Sequence, residues 1–172
     1  ISDPLRNCGK KNGKSMMNNR VTKTYRQTNY GTPEEIFPLL CPVREADWLD
    51  GWQYSMIYSE SGVAEQDCVF STPHHGENDT IWVVTEYDPA HYRIGFVRSS
   101  PGESVVNIHI ALSAIDETST AADITYQYTA LNDAQQRFIN TELDAVFHEN
   151  MLWWEKSINH YLQTGEKLLS ED

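Results

Sequence analysis

A long amphipathic segment near the C terminus, residues 132–162, constrains the fold of this chain more than any other feature. At 100° per residue, one face of a helix over this segment carries bulky side chains: Leu143, Phe147, Asn150, Met151, Trp154, Ile158 and Tyr161. Gln136 and Asn140 add amides to the same stripe. Because a run of short alternating strands precedes it, the segment predicts one long helix laid across a sheet, with a cavity beneath.

Composition and charge limit the classes of partner. The chain has 172 residues, 40% of them hydrophobic, which fits one globular domain. No apolar run approaches the ~18 residues of a membrane span. Residues 1–26 hold seven Lys or Arg against one Asp, so the net charge of −12 belongs to a strongly acidic body. This balance disfavours nucleic acid and anionic membranes as partners, and we expect no stable membrane insertion.

The cysteines and histidines indicate no metal site. Cys8, Cys41 and Cys68 are odd in number and form no CxxC pair, so neither a disulfide framework nor a zinc site is predicted. A reducing, cytoplasmic location follows as the default. The pair His74-His75, with Glu77 two residues on, suggests a metal ligand set, but a solvated loop is the better interpretation. We therefore expect no metal and no cofactor.

The chain begins with a basic, Asn- and Gly-rich stretch that has no apolar periodicity. We interpret residues 1–19 as a disordered arm, or as sequence upstream of a natural start at Met16 or Met17. A single domain is predicted for residues 20–165, followed by a tail at 166–172. Homodimerisation stays open.

Local signals predict a strand and two short helices at the start of the domain. Residues 20–28 alternate as a strand. Thr32, Pro33 and Glu35 form a capping box at the start of a helix. A second helical piece is predicted over residues 43–49, ending at Gly51.

Six further strands are predicted from alternation and turn residues, over residues 52–59, 63–71, 80–87, 92–98, 104–114 and 122–130. A four-residue loop at 88–91 pairs Tyr87 with Tyr92, and it makes Glu86 and Arg93 an ion pair on the outer face. With this register the inner face carries Ile81, Val83, Thr85, Ile94, Phe96 and Arg98. After the last strand, Asn132 with Gln135 caps the long helix, and Gly165 ends it.

This order of elements, with segments 31–40, 41–52 and 125–131, resembles the SRPBCC superfamily, which includes START lipid-transfer domains, pollen allergens and polyketide cyclase-like proteins. Segment 41–52 resembles an uncharacterised bacterial branch. The resemblance spans roughly residues 20–164. It implies an α+β helix-grip fold: a seven-stranded antiparallel curved sheet wrapped around a long C-terminal helix, with two short helices between strands 1 and 2.

The resemblance also implies a deep cavity between sheet and helix, in which members bind lipids, polyketides or other apolar molecules. If the strand parity is right, the candidate ligand-binding residues are Tyr54, Met56, Phe96, Arg98, Ile108, Ile110, Tyr126, Tyr128, Asn140, Phe147 and Met151. A packed core is the alternative for each apolar one. Arg98 either binds a ligand carboxylate, extends its charge to solvent, or pairs with an acid of the final helix such as Asp144. Asn140 either contacts a ligand or bonds to loop backbone.

Three functions stay open at this point. The leading one is binding of a small hydrophobic or amphipathic molecule of lipid, polyketide or aromatic type. The second is a cyclase, aromatase or hydratase that uses the same cavity, with Tyr126, Tyr128 or Arg98 as its polar groups; no catalytic motif is found. The third is a protein-interaction module of co-chaperone type, with Trp82 and Val97 on the outer sheet face and Trp153 beside the helix. Two or more polar groups converging in the cavity favour the enzyme, and one polar anchor favours a binder.

Overall fold

The structure, a computed structural model, describes residues 18–75 and 78–171. Its strands are β1 (Arg20–Asn29), β2 (Ser55–Tyr58), β3 (Val69–Thr72), β4 (Thr80–Asp88), β5 (Arg93–Ser100), β6 (Ser104–Ala114) and β7 (Thr120–Ala130). Its helices are α1 (Pro33–Ile36), α2 (Pro42–Trp48), α3 (Asp133–Thr141) and α4 (Leu143–Thr164), with a 3₁₀ turn at Phe37–Leu40. The predicted element order is confirmed. The arm predicted for residues 1–19 lies outside the described residues up to position 17.

All seven strands form one antiparallel, curved sheet in the order β1-β7-β6-β5-β4-β3-β2. Consecutive strands from β2 to β7 are neighbours, as expected for hairpin connections. The chain enters at one edge through β1, which pairs with β7, and α1 and α2 carry it across to β2 at the other edge. The long C-terminal helix covers the inner face of this sheet.

Local capping signals act as predicted. The Thr32 backbone N–H donates to Glu35 Oε2 at 2.8 Å, and the Glu35 N–H donates to Thr32 Oγ1 at 3.3 Å, which completes the capping box of α1. Asn132 Oδ1 accepts from the Gln135 N–H at 2.8 Å and caps α3. Gly165 ends α4 with φ of 71°, a conformation that costs glycine little.

The predicted single C-terminal helix is in fact two helices. The helix breaks at Glu142, where φ is −117°. In the last turn of α3, Asn140 Nδ2 donates to the Gln136 carbonyl at 2.6 Å and Thr141 Oγ1 donates to the Arg137 carbonyl at 2.7 Å. These side chains compete with backbone N–H groups for the same carbonyls, which favours a break at this point.

The predicted register of β4 is wrong. Asp88 pairs with Arg93, so the four-residue loop is 89–92, which moves the pairing by two residues and keeps the predicted parity near the turn. A bulge between Val84 and Glu86 then reverses the parity for the rest of the strand. Trp82 and Val84 therefore lie on the inner face beside Arg98 and Phe96 of β5. The prediction had placed Ile81, Val83 and Thr85 there.

The predicted ion pair between strands β4 and β5 nevertheless forms. Arg93 Nε lies 3.1 Å from Glu86 Oε1, although in the true register Glu86 pairs with Gly95. Because the shifted loop moves the partner of Glu86 by two residues, from Arg93 to Gly95, Glu86 and Arg93 stay on the same face and meet diagonally on the outer side of the sheet.

Strands β2 and β3 are shorter than predicted because the loop between them is organised by a carboxylate. Glu65 Oε1 accepts hydrogen bonds from Ser59 Oγ at 3.0 Å, from the Ser61 N–H at 3.2 Å and from the Glu60 N–H. Residues 59–66 therefore turn back on themselves instead of extending the ladder.

Helix α4 is held on the sheet by polar contacts to β1 as well as by its apolar face. Asn159 Oδ1 accepts from the Tyr30 N–H at 3.1 Å, and its Nδ2 donates to the Thr28 carbonyl at 2.9 Å. Glu155 accepts from the Thr28 N–H at 2.9 Å and from the Tyr25 hydroxyl at 3.1 Å. These bonds satisfy edge groups of β1 and fix how α4 crosses the sheet.

Candidate functional site

A cavity of about 460 Å³ lies between the inner face of the sheet and the C-terminal helices. The sheet lines it with Phe70, Trp82, Phe96, Arg98, Ile108, Ile110, Tyr126 and Tyr128. Helices α3 and α4 line it with Phe138, Leu143, Val146, Phe147, Asn150, Met151, Trp153 and Trp154. The remaining wall comes from Leu40, Glu45 of α2 and residues 49–52. The break at Glu142 lies between the two helices that line the cavity.

Strand register arranges the sheet side of the cavity in rows. Phe96 pairs with Ile108, and Ile108 pairs with Tyr126, so these three side chains cross the sheet in one row. The next row holds Arg98 and Tyr128, on either side of Val106. Because alternate residues share a face, each row projects into the same space.

Eight of the eleven predicted ligand-binding residues line the cavity: Phe96, Arg98, Ile108, Ile110, Tyr126, Tyr128, Phe147 and Met151. Tyr54 and Met56 do not, because they belong to the sheet edge around β2, where they are partly buried against the core. Asn140 is exposed and donates to the carbonyls of Asn18 and Gln136, the backbone role that the sequence left open.

Arg98 lies among three aromatic rings. Its guanidinium carbon is 5.4 Å from the ring centre of Trp82, 5.9 Å from that of Tyr126 and 5.8 Å from that of Tyr128. These are cation–π distances. Its alternative partner Asp144 pairs with Lys23 instead. Within the described part of the chain, no carboxylate lies at ion-pair distance from Arg98.

Glu45 is the cavity residue that sequence reasoning missed. It lies on α2, where burial raises the pKa of its carboxyl from the ordinary 4.5 to about 8, although a hydrogen bond with the Trp154 side chain acts in the opposite direction. Glu45 is therefore mainly protonated at neutral pH. A signal was present: Glu45 stands three residues from both Pro42 and Trp48, which are buried, and so shares their helix face.

Two tyrosines add phenol groups to the cavity. Burial raises the pKa of Tyr126 and of Tyr128, and the Arg98 charge only partly offsets the rise. Both phenols therefore stay neutral and can donate a hydrogen bond. Tyr126 also meets Phe147 edge to face, with ring centres 5.4 Å apart, so its ring links the sheet to α4.

An aromatic cluster forms one end of the cavity. Trp82 stacks on Phe70 with ring centres 5.4 Å apart, and Trp52 meets both rings edge to face. The expectation that Trp82 lies on the outer face as part of an interaction patch is wrong, because the β4 bulge turns it inward. Trp153 also lines the cavity, and Val97 is half-buried on the outer face.

No metal set is formed by the described residues: among them, no three His, Cys, Asp or Glu side chains are grouped to hold an ion. His74 instead bonds Glu103, with 2.6 Å between Nε2 and Oε2. Cys41 and Cys68 are buried free thiols, whereas Cys8 and Glu77 lie outside the described residues. Within 18–75 and 78–171, no helix has the length and apolar character needed to cross a bilayer.

Comparison with solved structures identifies the fold. The Zhui aromatase/cyclase from Streptomyces matches with a TM-score of 0.62 at 9% identity, over 87% of this chain and 99% of that one. The protein has a helix-grip fold. Norcoclaurine synthase from Thalictrum flavum matches this chain with a TM-score of 0.60 at 12% identity, over 84% of this chain and 88% of that one. Ara h 8.0201 matches with 0.59 at 15%, over 84% and 99%.

Sequence comparison alone does not detect these similarities. No family model matches this chain, and no curated protein matches it. Identities of 9% to 15% are low enough that the likeness establishes the fold and nothing finer. The chemistry of the site therefore depends on the residues of this chain.

The cavity combines large aromatic side chains with polar ones, among them Glu45, Arg98, Tyr126 and Tyr128. At neutral pH these provide one cation, one carboxylic acid and two phenols. The walls can enclose a flat apolar molecule, and the polar groups can orient it by hydrogen bonds. An acid with a pKa near neutrality can in addition give or take a proton.

Proposed function

We propose that this protein binds a small, flat, amphipathic molecule in the cavity between its sheet and α4. The observation that carries the proposal is the cavity itself. Its volume of about 460 Å³ falls within the range of roughly 300–1,000 Å³ that is typical of small-molecule sites. Ten of its 22 lining residues are aromatic, and Phe, Trp and Tyr faces pack well against other flat surfaces.

The similar structures support a function of this kind. Zhui is an aromatase/cyclase, and the norcoclaurine synthase structure is a complex with dopamine and hydroxybenzaldehyde. Both names belong to proteins that act on or hold small molecules. At these identities they indicate what such a fold can do, and this protein's own ligand follows from its own cavity.

The binding proposal is tested with a neutral fluorescent probe, N-phenyl-1-naphthylamine. We expect the wild-type protein to bind it at micromolar concentration and Val146→Trp to weaken binding about tenfold or more, because Val146 lines the cavity while 38% of it is exposed. An indole there fills space without disturbing a buried position. Titration of probe fluorescence gives both dissociation constants.

Ala145→Trp is the matched control, since Ala145 is exposed on the same helix and does not line the cavity. It should bind the probe like the wild type. Native mass spectrometry of the purified protein, compared with its denatured mass, shows in parallel whether a small molecule copurifies. Absence of probe binding by the wild type, or equal binding by both Trp variants, would refute the proposal.

A cyclase-type enzyme is the second candidate, and Glu45 is the observation that favours it. Several polar groups converge in the cavity rather than one anchor, and one of them is an acid whose pKa is raised to about 8. Raised pKa values of cavity acids are typical of general acid–base sites. The interaction-module candidate loses its main support, because Trp82 lies inside the cavity.

The enzyme candidate predicts proton exchange on 2-tetralone, a flat ketone with acidic C–H bonds beside its carbonyl. Ionised Glu45 would take a proton from carbon 1, and a deuteron from D₂O would replace it. The exchange rate, followed by ¹H NMR, should rise as Glu45 ionises near pH 8 and then level off. Glu45→Gln should reduce the rate to that of buffer.

Glu117→Gln, a change of an exposed loop acid, serves as the control for the exchange measurement and should leave the rate unaltered. If the wild type exchanges no faster than buffer while still binding N-phenyl-1-naphthylamine, the enzyme candidate fails and the binding proposal stands.

A further inference from the structure

Arg98 is the only cationic side chain among the described residues that line the cavity. It lies near the end of β5, two residues beyond Phe96 on the same face of the strand. A half-buried guanidinium surrounded by aromatic rings is costly unless something compensates its charge. The groups that compensate the Arg98 charge therefore indicate which kind of ligand the cavity binds.

The protein itself compensates Arg98 only in part. Three rings contact the guanidinium, and it hydrogen-bonds the Tyr128 side chain. A guanidinium carries five N–H donors in one plane, and ring faces do not replace oxygen acceptors lying in that plane. In the part of the chain that the structure describes, no carboxylate pairs with Arg98. Donors of Arg98 are thus available to oxygen atoms of a bound molecule.

The other titratable groups of the cavity do not neutralise this charge. Glu45 is mainly protonated at neutral pH because burial raises its pKa to about 8, and burial also keeps Tyr126 and Tyr128 neutral. Asp50 lines the cavity as a carboxylate, but its Oδ2 accepts the Ser170 N–H at 3.0 Å and the Ser170 hydroxyl at 2.8 Å. The positive charge of Arg98 is therefore the one that a negatively charged group of a ligand would neutralise.

We propose that the cavity selects flat aromatic molecules that carry a carboxylate, and that Arg98 binds the carboxylate through paired N–H donors. The inference rests on the proposed binding function and specifies its ligand class. Arg98 and Phe96 are separated by about 7 Å along the strand, two residues at the usual rise. A carboxylate held at Arg98 therefore leaves the attached ring system over Phe96 and Ile108, between the sheet and α4.

The planar shape of the guanidinium also strengthens the contact between Arg98 and a ligand carboxylate. A planar guanidinium fits a carboxylate with two parallel hydrogen bonds, and surrounding rings exclude water that would weaken them. A neutral group of the same shape would make the ring contacts but lose the charge-assisted bonds. Selectivity between an acid and its amide thus isolates the contribution of Arg98.

The experiment measures displacement of N-phenyl-1-naphthylamine by 2-naphthoate and by 2-naphthamide, which share one ring system. We expect the wild type to bind the naphthoate about tenfold more tightly or better, and Arg98→Gln to bind both within about twofold of each other. Arg98→Lys keeps the charge without the planar donors and should show an intermediate preference. Arg26→Gln, on the exposed face of β1, should behave as wild type.

Two results would overturn the inference while the binding proposal survives: equal affinity of the wild type for both displacers, or an undiminished naphthoate preference in Arg98→Gln. Loss of probe binding by the wild type would instead remove the binding proposal itself. If Arg98→Gln does not fold, as judged by circular dichroism, the acid-to-amide ratio in the wild type and in Arg98→Lys decides the matter.

Discussion

Trp48→Ala is expected to lower the free energy of unfolding by about 4 kcal/mol, within the range for removing a buried Trp side chain. Trp48 is completely buried, and its Nε1 donates to the Leu39 carbonyl at 2.9 Å. Its ring meets Trp154 edge to face, with centres 5.2 Å apart. The indole thus joins α2, the 3₁₀ turn and α4, and its removal leaves a cavity that all three border.

Urea denaturation followed by circular dichroism measures this effect. Trp48→Phe keeps an aromatic ring but loses the N–H donor and part of the volume, so we expect about 1–2 kcal/mol. Tyr58→Ala is the surface control, because Tyr58 is 63% exposed on the edge strand β2, and it should change stability by less than about 0.5 kcal/mol. A loss below about 1 kcal/mol for Trp48→Ala would contradict the packing role assigned to this residue.

Glu45→Gln is expected to stabilise the protein by roughly 2 kcal/mol at pH 8, although it changes a partly buried side chain. Glu45 has a pKa near 8 in the folded state against an ordinary value of 4.5. Below pH 4.5 the carboxyl is protonated in both states and costs nothing. Between pH 4.5 and 8 the unfolded chain releases this proton and the folded one keeps it, so the free energy of unfolding falls as pH rises.

The full difference between the folded and unfolded pKa values of Glu45 corresponds to more than 4 kcal/mol. Because water that enters the cavity solvates the carboxylate and lowers this cost, we expect only roughly 2 kcal/mol. Urea denaturation at pH 5 and pH 8 tests the sign: the stabilising effect of Glu45→Gln should be large at pH 8 and nearly absent at pH 5. Glu117→Gln, at an exposed position, should show no such pH dependence. A Glu45→Gln variant less stable than wild type at pH 8 would show that the carboxylate is paired in the folded protein.

The same residue links stability to function. A carboxyl that costs stability above pH 4.5 is a poor choice for a purely structural position, where an amide or an apolar side chain would serve. Its location on the cavity wall beside Trp154 is consistent with a role toward a bound molecule. If the tetralone exchange rate and the stabilisation by Glu45→Gln both rise over the pH range in which Glu45 ionises, ionisation of this one carboxyl explains both.

Features that depend on a few neighbouring residues could be predicted from the sequence. The capping box of Thr32 and Glu35, the cap at Asn132 and the stop at Gly165 each need only a hydrogen bond or a backbone conformation within one turn. The alternation in β6 and β7 is also local, since successive side chains of a strand face opposite sides. From it, Ile108, Ile110, Tyr126 and Tyr128 could be placed on the inner face.

What tertiary structure alone decided depends on contacts between distant residues. The bulge in β4, which turns Trp82 inward, is set by pairing with β5 and β3, and no residue pattern in β4 signals it. Glu45 became a cavity acid only because α2 packs near α4, which places it beside Trp154 and away from bulk water. The sequence by itself determined the elements and most of the inward faces, because backbone geometry repeats locally. The cavity, the position of Arg98 in it and the protonated state of Glu45 were decided by how sheet and helices come together, because burial and charge are properties of the assembled fold.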